Sequence, residues 1–129
     1  MEYTEIPKGT KNKTSLSMSS GYDIAYYSNV VNMIELYQGE ESHIWESDKM
    51  MLSGLILLSD KGINIHDPVI AHQSLIEHIG YSGNLSSYKN ALTRLVNKSW
   101  VKRKYGTLLF NKLLADAVSG RSVRLEIAR

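Results

Sequence analysis

Residues 72–111 read HQSLIEHIGYSGNLSSYKNALTRLVNKSWVKRKYGTLLFN, and the order of patterns inside this stretch decides the fold. Leu75, Ile76 and Ile79 stand at helical spacing, Gly80 ends that helix, and residues 81–84 supply a turn. A second helix starts from a cap at Asn84, Ser86 or Ser87 and lays Leu85, Tyr88, Leu92, Leu95 and Val96 along its inner side. Two helices joined by a short glycine-bearing turn make a helix-turn-helix, a pattern that any helical hairpin also shows. The next residues narrow the choice. Trp100 to Lys104 is strand-compatible, Tyr105-Gly106 is a turn, and Thr107 to Phe110 is a second apolar strand. A hairpin directly behind a helix-turn-helix is a wing. The expected fold is therefore mainly α with a small β-wing, a winged helix-turn-helix carrying an extra N-terminal helix and a C-terminal helix/strand extension.

Upstream, residues 1–21 are polar and carry Pro7 and Gly9, which reads as an extended or loosely ordered arm before a domain spanning 22–129. From Tyr22 the pattern becomes helical. Ile24, Tyr27, Val31 and Ile34 form one stripe, and Tyr26, Val30, Met33 and Tyr37 form another beside it, with Gly39 as the stop. A helix apolar around so much of its circumference is expected to be covered on two sides, by its own core and by a second subunit. SDKMMLSGLILLSDKG reads as a further helix capped by Ser47 or Asp48 and ended by Gly62, with Gly54 inside it at a cost of about 1 kcal/mol relative to Ala. Ile63 to Ile65 reads as a brief strand or extended bridge. Pro68 fits the first turn of a helix capped by Asp67, with a break expected before His72. Beyond the wing, Asn111 to Val118 reads as a short helix. Val123, Leu125 and Ile127 then alternate with Ser122, Arg124 and Glu126, the pattern of a half-buried strand.

The formal charge of +2 hides a strong asymmetry. Residues 1–84 hold five cations against eleven acids, a balance of −6, whereas residues 85–129 hold ten cations against two acids, a balance of +8. Such a split points to a face that meets a polyanion; a solvated basic surface is the alternative. The absence of cysteine removes a disulfide framework, a thiolate nucleophile and a cysteine-rich zinc site, and agrees with a cytoplasmic location. The longest apolar run, around MMLSGLILL, falls short of the roughly 20 residues that cross a bilayer, and no signal-peptide core precedes it. No membrane association is expected.

In a helix-turn-helix the second helix enters the major groove and its outward residues meet base edges. With Tyr88, Leu92 and Leu95 inward, Ser86, Ser87, Lys89, Asn90, Thr93, Arg94 and Asn97 fall on the other side. These are the right types: Asn bonds adenine in two places, Arg and Lys reach guanine acceptors, and Ser or Thr bonds phosphate or base. Lys89, Asn90 and Arg94 are the expected main readers. Lys98 at the helix end is also favoured there by the helix dipole alone. Lys102, Arg103 and Lys104 alternate faces along their strand, yet long cationic side chains at a wing tip reach phosphates, and Tyr105 at the turn is placed for a backbone contact. Trp100 at the start of the wing strand is expected in the core rather than against a base. Catalysis is not expected. Tyr26-Tyr27 lacks the clustered metal ligands of DNA-nicking tyrosines, His66, His72 and His78 lack a ligand spacing, and no Ser/His/Asp set, paired carboxylates or phosphate-binding glycine loop is present. Neither a cofactor nor a metal is implied.

Taken together, YDIAYYSNVVNMIELYQG, the segment from His72 to Leu114, the more specific WVKRKYGTLLFN within it, and SVRLEIA near the end resemble the RepL-type replication proteins of small bacterial plasmids and their phage relatives. The likeness covers roughly residues 22–127, mostly in pattern. The chain departs from that pattern at Lys112, where a Pro is usual after the wing Asn, and in the HDPVIAH stretch. The residues are read as a homodimer, paired through the helix from Asp23 to Gln38 and the C-terminal segment, that binds double-stranded DNA with sequence preference; the resemblance implies a role in plasmid or phage replication or maintenance, in contact with replication or transcription machinery. A transcriptional repressor or regulator uses the same surface. A winged helix serving as a protein-interaction module, its basic face against an acidic protein, is the reading from a different class.

Overall fold

The computed structural model describes residues 2–9 and 20–119, with side chains from Ile24 onward in the first helix. Among these residues the chain is mainly helical, with a three-stranded antiparallel sheet. The expected strand through Val123, Leu125 and Ile127 lies outside them.

Helix α1 (Ser20–Gln38) buries Tyr27, Val31 and Ile34 completely, so the first stripe faces the core. The second stripe divides. Val30 is buried, but Met33 and Tyr37 are exposed, and Leu36 beside them is 83% exposed. Among the described residues one side of α1 is covered and the other is open. Gly39, at φ +89°, breaks the helix, and a short 3-10 turn (Glu40–Ser42) follows.

Helix α2 (Glu46–Asp60) is the central element, buried without interruption from Met51 to Leu58. It begins ahead of Ser47 and Asp48, with Trp45 in the capping position and no side-chain cap. Asp48 is no cap because its carboxylate is drawn sideways into the protein, as described below. Gly54 has a packing reason. A Cβ there would lie 2.6 Å from Ile79 Cδ1 and 2.8 Å from Leu75 Cδ2, so the missing side chain lets the next helix lie close. Ile63–Ile65 forms an extended bridge that joins no sheet, anchored by the buried Ile65.

Helix α3 (Pro68–Ile79) is capped as expected, with the Asp67 carboxylate accepting from the Val69 and Ile70 amides at 2.9 and 3.2 Å. It runs unbroken through His72. With Pro68 at the first turn, where a missing N–H costs nothing, nothing in the segment interrupts the helix. Ile76, expected inside, is exposed, while Ala71 and Leu75 take the core side. Gly80 closes α3 in the left-handed conformation, φ +69°. Helix α4 (Leu85–Asn97) opens with Asn84 accepting from the Ser87 amide at 2.8 Å and buries Tyr88, Ala91, Leu92 and Leu95. Val96, placed inside on sequence grounds, is exposed and Leu85 half-buried. His72 locks the two helices by bonding the Gly83 carbonyl at 2.8 Å, its ring 5.9 Å from Tyr81 and 6.0 Å from Tyr88.

Strands β2 (Val101–Lys104) and β3 (Thr107–Asn111) pair antiparallel, Val101 with Phe110 and Lys104 with Thr107. Tyr105 and Gly106 both take positive φ, +52° and +77°, the pairing that tight two-residue hairpins require. The third strand, β1 (Tyr3–Thr4), comes from the N-terminal arm and lies against β3, Tyr3 with Asn111 and Thr4 with Phe110. Ile6 follows it into the core. Residues 2–9 are thus pinned to the domain, with Gly9 N donating to Asp60 O at 2.8 Å. Trp100 is wholly buried and its indole N–H donates to Ser42 O at 2.8 Å, which ties the start of the hairpin to the turn after α1. Asn111 caps α5 (Lys112–Val118), and Tyr26 Oη donates to Val118 O at 3.3 Å, holding α5 against α1.

Candidate nucleic-acid interface

Helix α4 shows three kinds of surface because its buried stripe fixes where everything else points. With Tyr88, Ala91, Leu92 and Leu95 inside, helical spacing puts Ser86, Asn90, Thr93 and Asn97 within roughly 60° of one another on the opposite side. All four are exposed and none is charged. The Asn90 and Asn97 amides have no hydrogen-bond partner among the described residues. The Thr93 hydroxyl donates to Lys89 O at 3.1 Å. Cations flank this neutral stripe.

On the side of α2, Arg94 is taken by the protein itself. Its Nε donates to Asp48 Oδ2 at 2.8 Å and its Nη2 to Asp48 Oδ1 at 3.0 Å, a bidentate pair, while the guanidinium carbon lies 4.6 Å from the centre of the Trp45 ring. Those bonds raise the guanidinium pKa above its ordinary value. Asp48 is buried, so this pair joins α4 to the first turn of α2. Arg94, expected among the main base readers, stands here as a structural link. The stacked Trp45 is itself 62% exposed. Ser87 shares this side of the helix, and Lys98, Asn97 and His43 line a cavity of about 230 Å³ beside Trp45.

The side toward the hairpin is different. Lys89, Thr93 and Val96 of α4 face Arg103 and Leu108 across a largely apolar groove of about 320 Å³ closed by Pro68 and Leu92. Arg103 turns inward from β2, donating from Nη1 to His66 O at 2.7 Å, and its Nη2 is buried without a hydrogen-bond partner among the described residues. Lys102 and Lys104 occupy the outer face of the strand, as alternation demands. Lys102 Nζ lies 5.5 Å from the Tyr3 ring and Lys104 Nζ 5.7 Å from the Tyr105 ring; Tyr105, at the tip, is 95% exposed. Of the sequence-derived cations, Lys89, Lys98, Lys102, Arg103 and Lys104 have no carboxylate partner among the described residues. They occupy the groove, the end of α4 and the outer hairpin face, and do not form one flat patch.

Three contributors lie beyond the reach of local pattern. Asp48 suits a helix cap by its position, but its pairing with Arg94 spans 46 residues. Trp45 belongs to no motif in the sequence. His66 organises the hairpin root: Nδ1 accepts from the Leu108 amide at 3.0 Å, Nε2 lies 3.5 Å from Glu5 Oε1, and its carbonyl receives Arg103. An acceptor Nδ1 requires the tautomer protonated on Nε2, the nitrogen that faces Glu5. Burial pushes the Tyr88 phenol up to about 12, with Arg103 pulling the other way; Tyr88 lies wholly buried on the inner face of α4. Tyr26 and Tyr27 meet edge to face, 5.3 Å between ring centres, with Tyr27 fully buried. Among the described residues no group of three or more His, Asp or Glu could hold a metal ion, and no helix is long and apolar enough to cross a membrane.

Comparison with protein-family models, with curated proteins and with solved structures gives no match to this chain.

Proposed function

We propose that α3, α4 and the β2–β3 hairpin form a winged helix-turn-helix that binds double-stranded DNA with sequence preference. One observation carries the reading: a neutral, hydrogen-bond-capable stripe on α4 is flanked by Lys89, Lys98, Lys102, Arg103 and Lys104, none of which has a carboxylate partner among the described residues. A duplex supplies what such a surface lacks. Base edges present donors and acceptors to the stripe, and phosphates on both sides neutralise the cations with release of condensed counterions. In this arrangement α4 lies in the major groove, Lys89 and the groove beside Arg103 meet one backbone, and Lys102, Lys104 and Tyr105 on the hairpin meet the neighbouring one.

The open side of α1, with Met33, Leu36 and Tyr37 exposed, supports a homodimer that places two copies of α4 on two half-sites about one helical turn apart. The resemblance to RepL-type proteins supports a role in plasmid or phage replication or maintenance. Regulation of transcription through the same surface is the close second reading. The test is a mobility-shift titration of the full chain against duplex flanking its own gene, with excess nonspecific competitor, at two salt concentrations. The proposal expects one region to be retained in competitor and bound less tightly at higher salt. Complete loss of binding in competitor would instead favour an acidic protein as the partner of this face.

A further inference from the structure

Resting on the DNA-binding reading above, we infer that α4 selects A·T base pairs, with Asn90 reading adenine and Thr93 meeting the methyl group of thymine. In the major groove adenine offers an acceptor beside a donor, which a carboxamide matches in two bonds; guanine offers two acceptors, which suit a guanidinium or ammonium. The outward stripe of α4 holds the first kind of group and lacks the second. Asn90 is exposed and its amide is uncommitted among the described residues. Thr93 stands three residues on, hence beside it on the helix face, and has spent its hydroxyl proton on Lys89 O at 3.1 Å. With its proton spent, Thr93 keeps its methyl and an acceptor oxygen for a partner, and the methyl suits thymine, the base with a methyl in that groove.

The residue best suited to guanine is withheld. Arg94 is the one arginine of α4, and its bidentate bond to the buried Asp48, with Trp45 stacked over it, keeps it on the flank. Lys89 lies about 100° around the helix axis from Asn90, beside Arg103 on the groove whose near edge is Thr93, a position suited to a backbone phosphate. Neighbouring positions on a helix lie about 5–6 Å apart, so Asn90 and Thr93 address the same base pair or adjacent ones, given ~3.4 Å per step.

Selection of duplexes from a random-sequence pool by the full chain decides the matter. The expected result is an enriched half-site with adjacent A·T pairs at its centre, at which Asn90→Ala lowers discrimination against the other base pairs about tenfold. Asn90 is exposed, and a thermal melt verifies that the variant folds. Arg94→Lys, which leaves a cation for Asp48, should return the same motif. A G·C-centred motif, a motif unchanged by Asn90→Ala, or a guanine preference lost in Arg94→Lys would each overturn this inference and leave sequence-selective DNA binding standing, whereas retained duplexes sharing no motif would overturn the sequence preference as well. A pool from which nothing is retained overturns the DNA-binding reading itself.

Discussion

The two flanks of α4 carry similar residues and do different things. Toward α2, the one arginine of the helix meets a buried carboxylate and an indole, and its charge is consumed in joining two elements. Toward the hairpin, Lys89, Lys102, Arg103 and Lys104 meet backbone carbonyls, aromatic rings or open solvent, and no acid among the described residues balances them. A cation is available to a ligand when the fold brings no anion to it. That is a property of tertiary neighbours, since Asp48 is far from Arg94 in sequence while Lys102 and Lys104 sit in a stretch without acids.

This contrast is exposed to direct attack, beginning with stability. Arg94→Ala leaves Asp48 buried without its partner and should destabilise the fold by about 2–3 kcal/mol, less than for a fully buried pair because the arginine is partly exposed. Lys102→Ala should change stability by no more than about 0.5 kcal/mol. Urea denaturation of both variants reads the difference, and equal effects would erase the distinction between the flanks. Gly54→Ala comes next. The new methyl must push aside Ile79 and Leu75 on α3, the helix that supports α4, and the expected loss is about 1–2 kcal/mol although Ala is the better helix former.

A smaller acid response is expected from Glu35 of α1, paired with Lys49 of α2. Burial alone would raise the Glu35 carboxyl, but Lys49 Nζ at 2.7 Å and the Ile44 amide at 2.9 Å, with His43 beside them, outweigh it and leave the pKa below the usual 4.5. A carboxylate lowered in the folded state stabilises fully above its unfolded value, and that contribution fades as pH falls through the folded value. Melting temperatures followed below pH 4.5 should therefore fall less steeply in Glu35→Gln than in the parent.

Local pattern foretold much of the fold, and the reasons are visible in single residues. Asp67 and Pro68, Gly80, Asn84, the Tyr105-Gly106 turn and Asn111 act within four residues of themselves, so their roles are written in neighbouring letters. The third strand escaped notice because Tyr3–Thr4 is too short to show a period and is a strand only through β3, more than a hundred residues away. Val96 and Ile76 fit an apolar stripe by spacing but lie at its edges, where the width of the covering element decides burial. For the interface, the outward set on α4 followed from its inner stripe. The separation of Arg94 from Lys89 did not, because it rests on where α2 and the hairpin lie.

The dependence of duplex affinity on salt tests the role of the hairpin cations most directly. Log–log titrations for the parent and for the Lys102→Ala/Lys104→Ala double variant measure how many phosphates the hairpin neutralises. Two lost phosphate contacts should shallow the slope by about 2, with binding weakened on every sequence, whereas Arg94→Lys should keep the parent slope. An unchanged slope in the double variant would contradict the assignment of the hairpin cations to DNA.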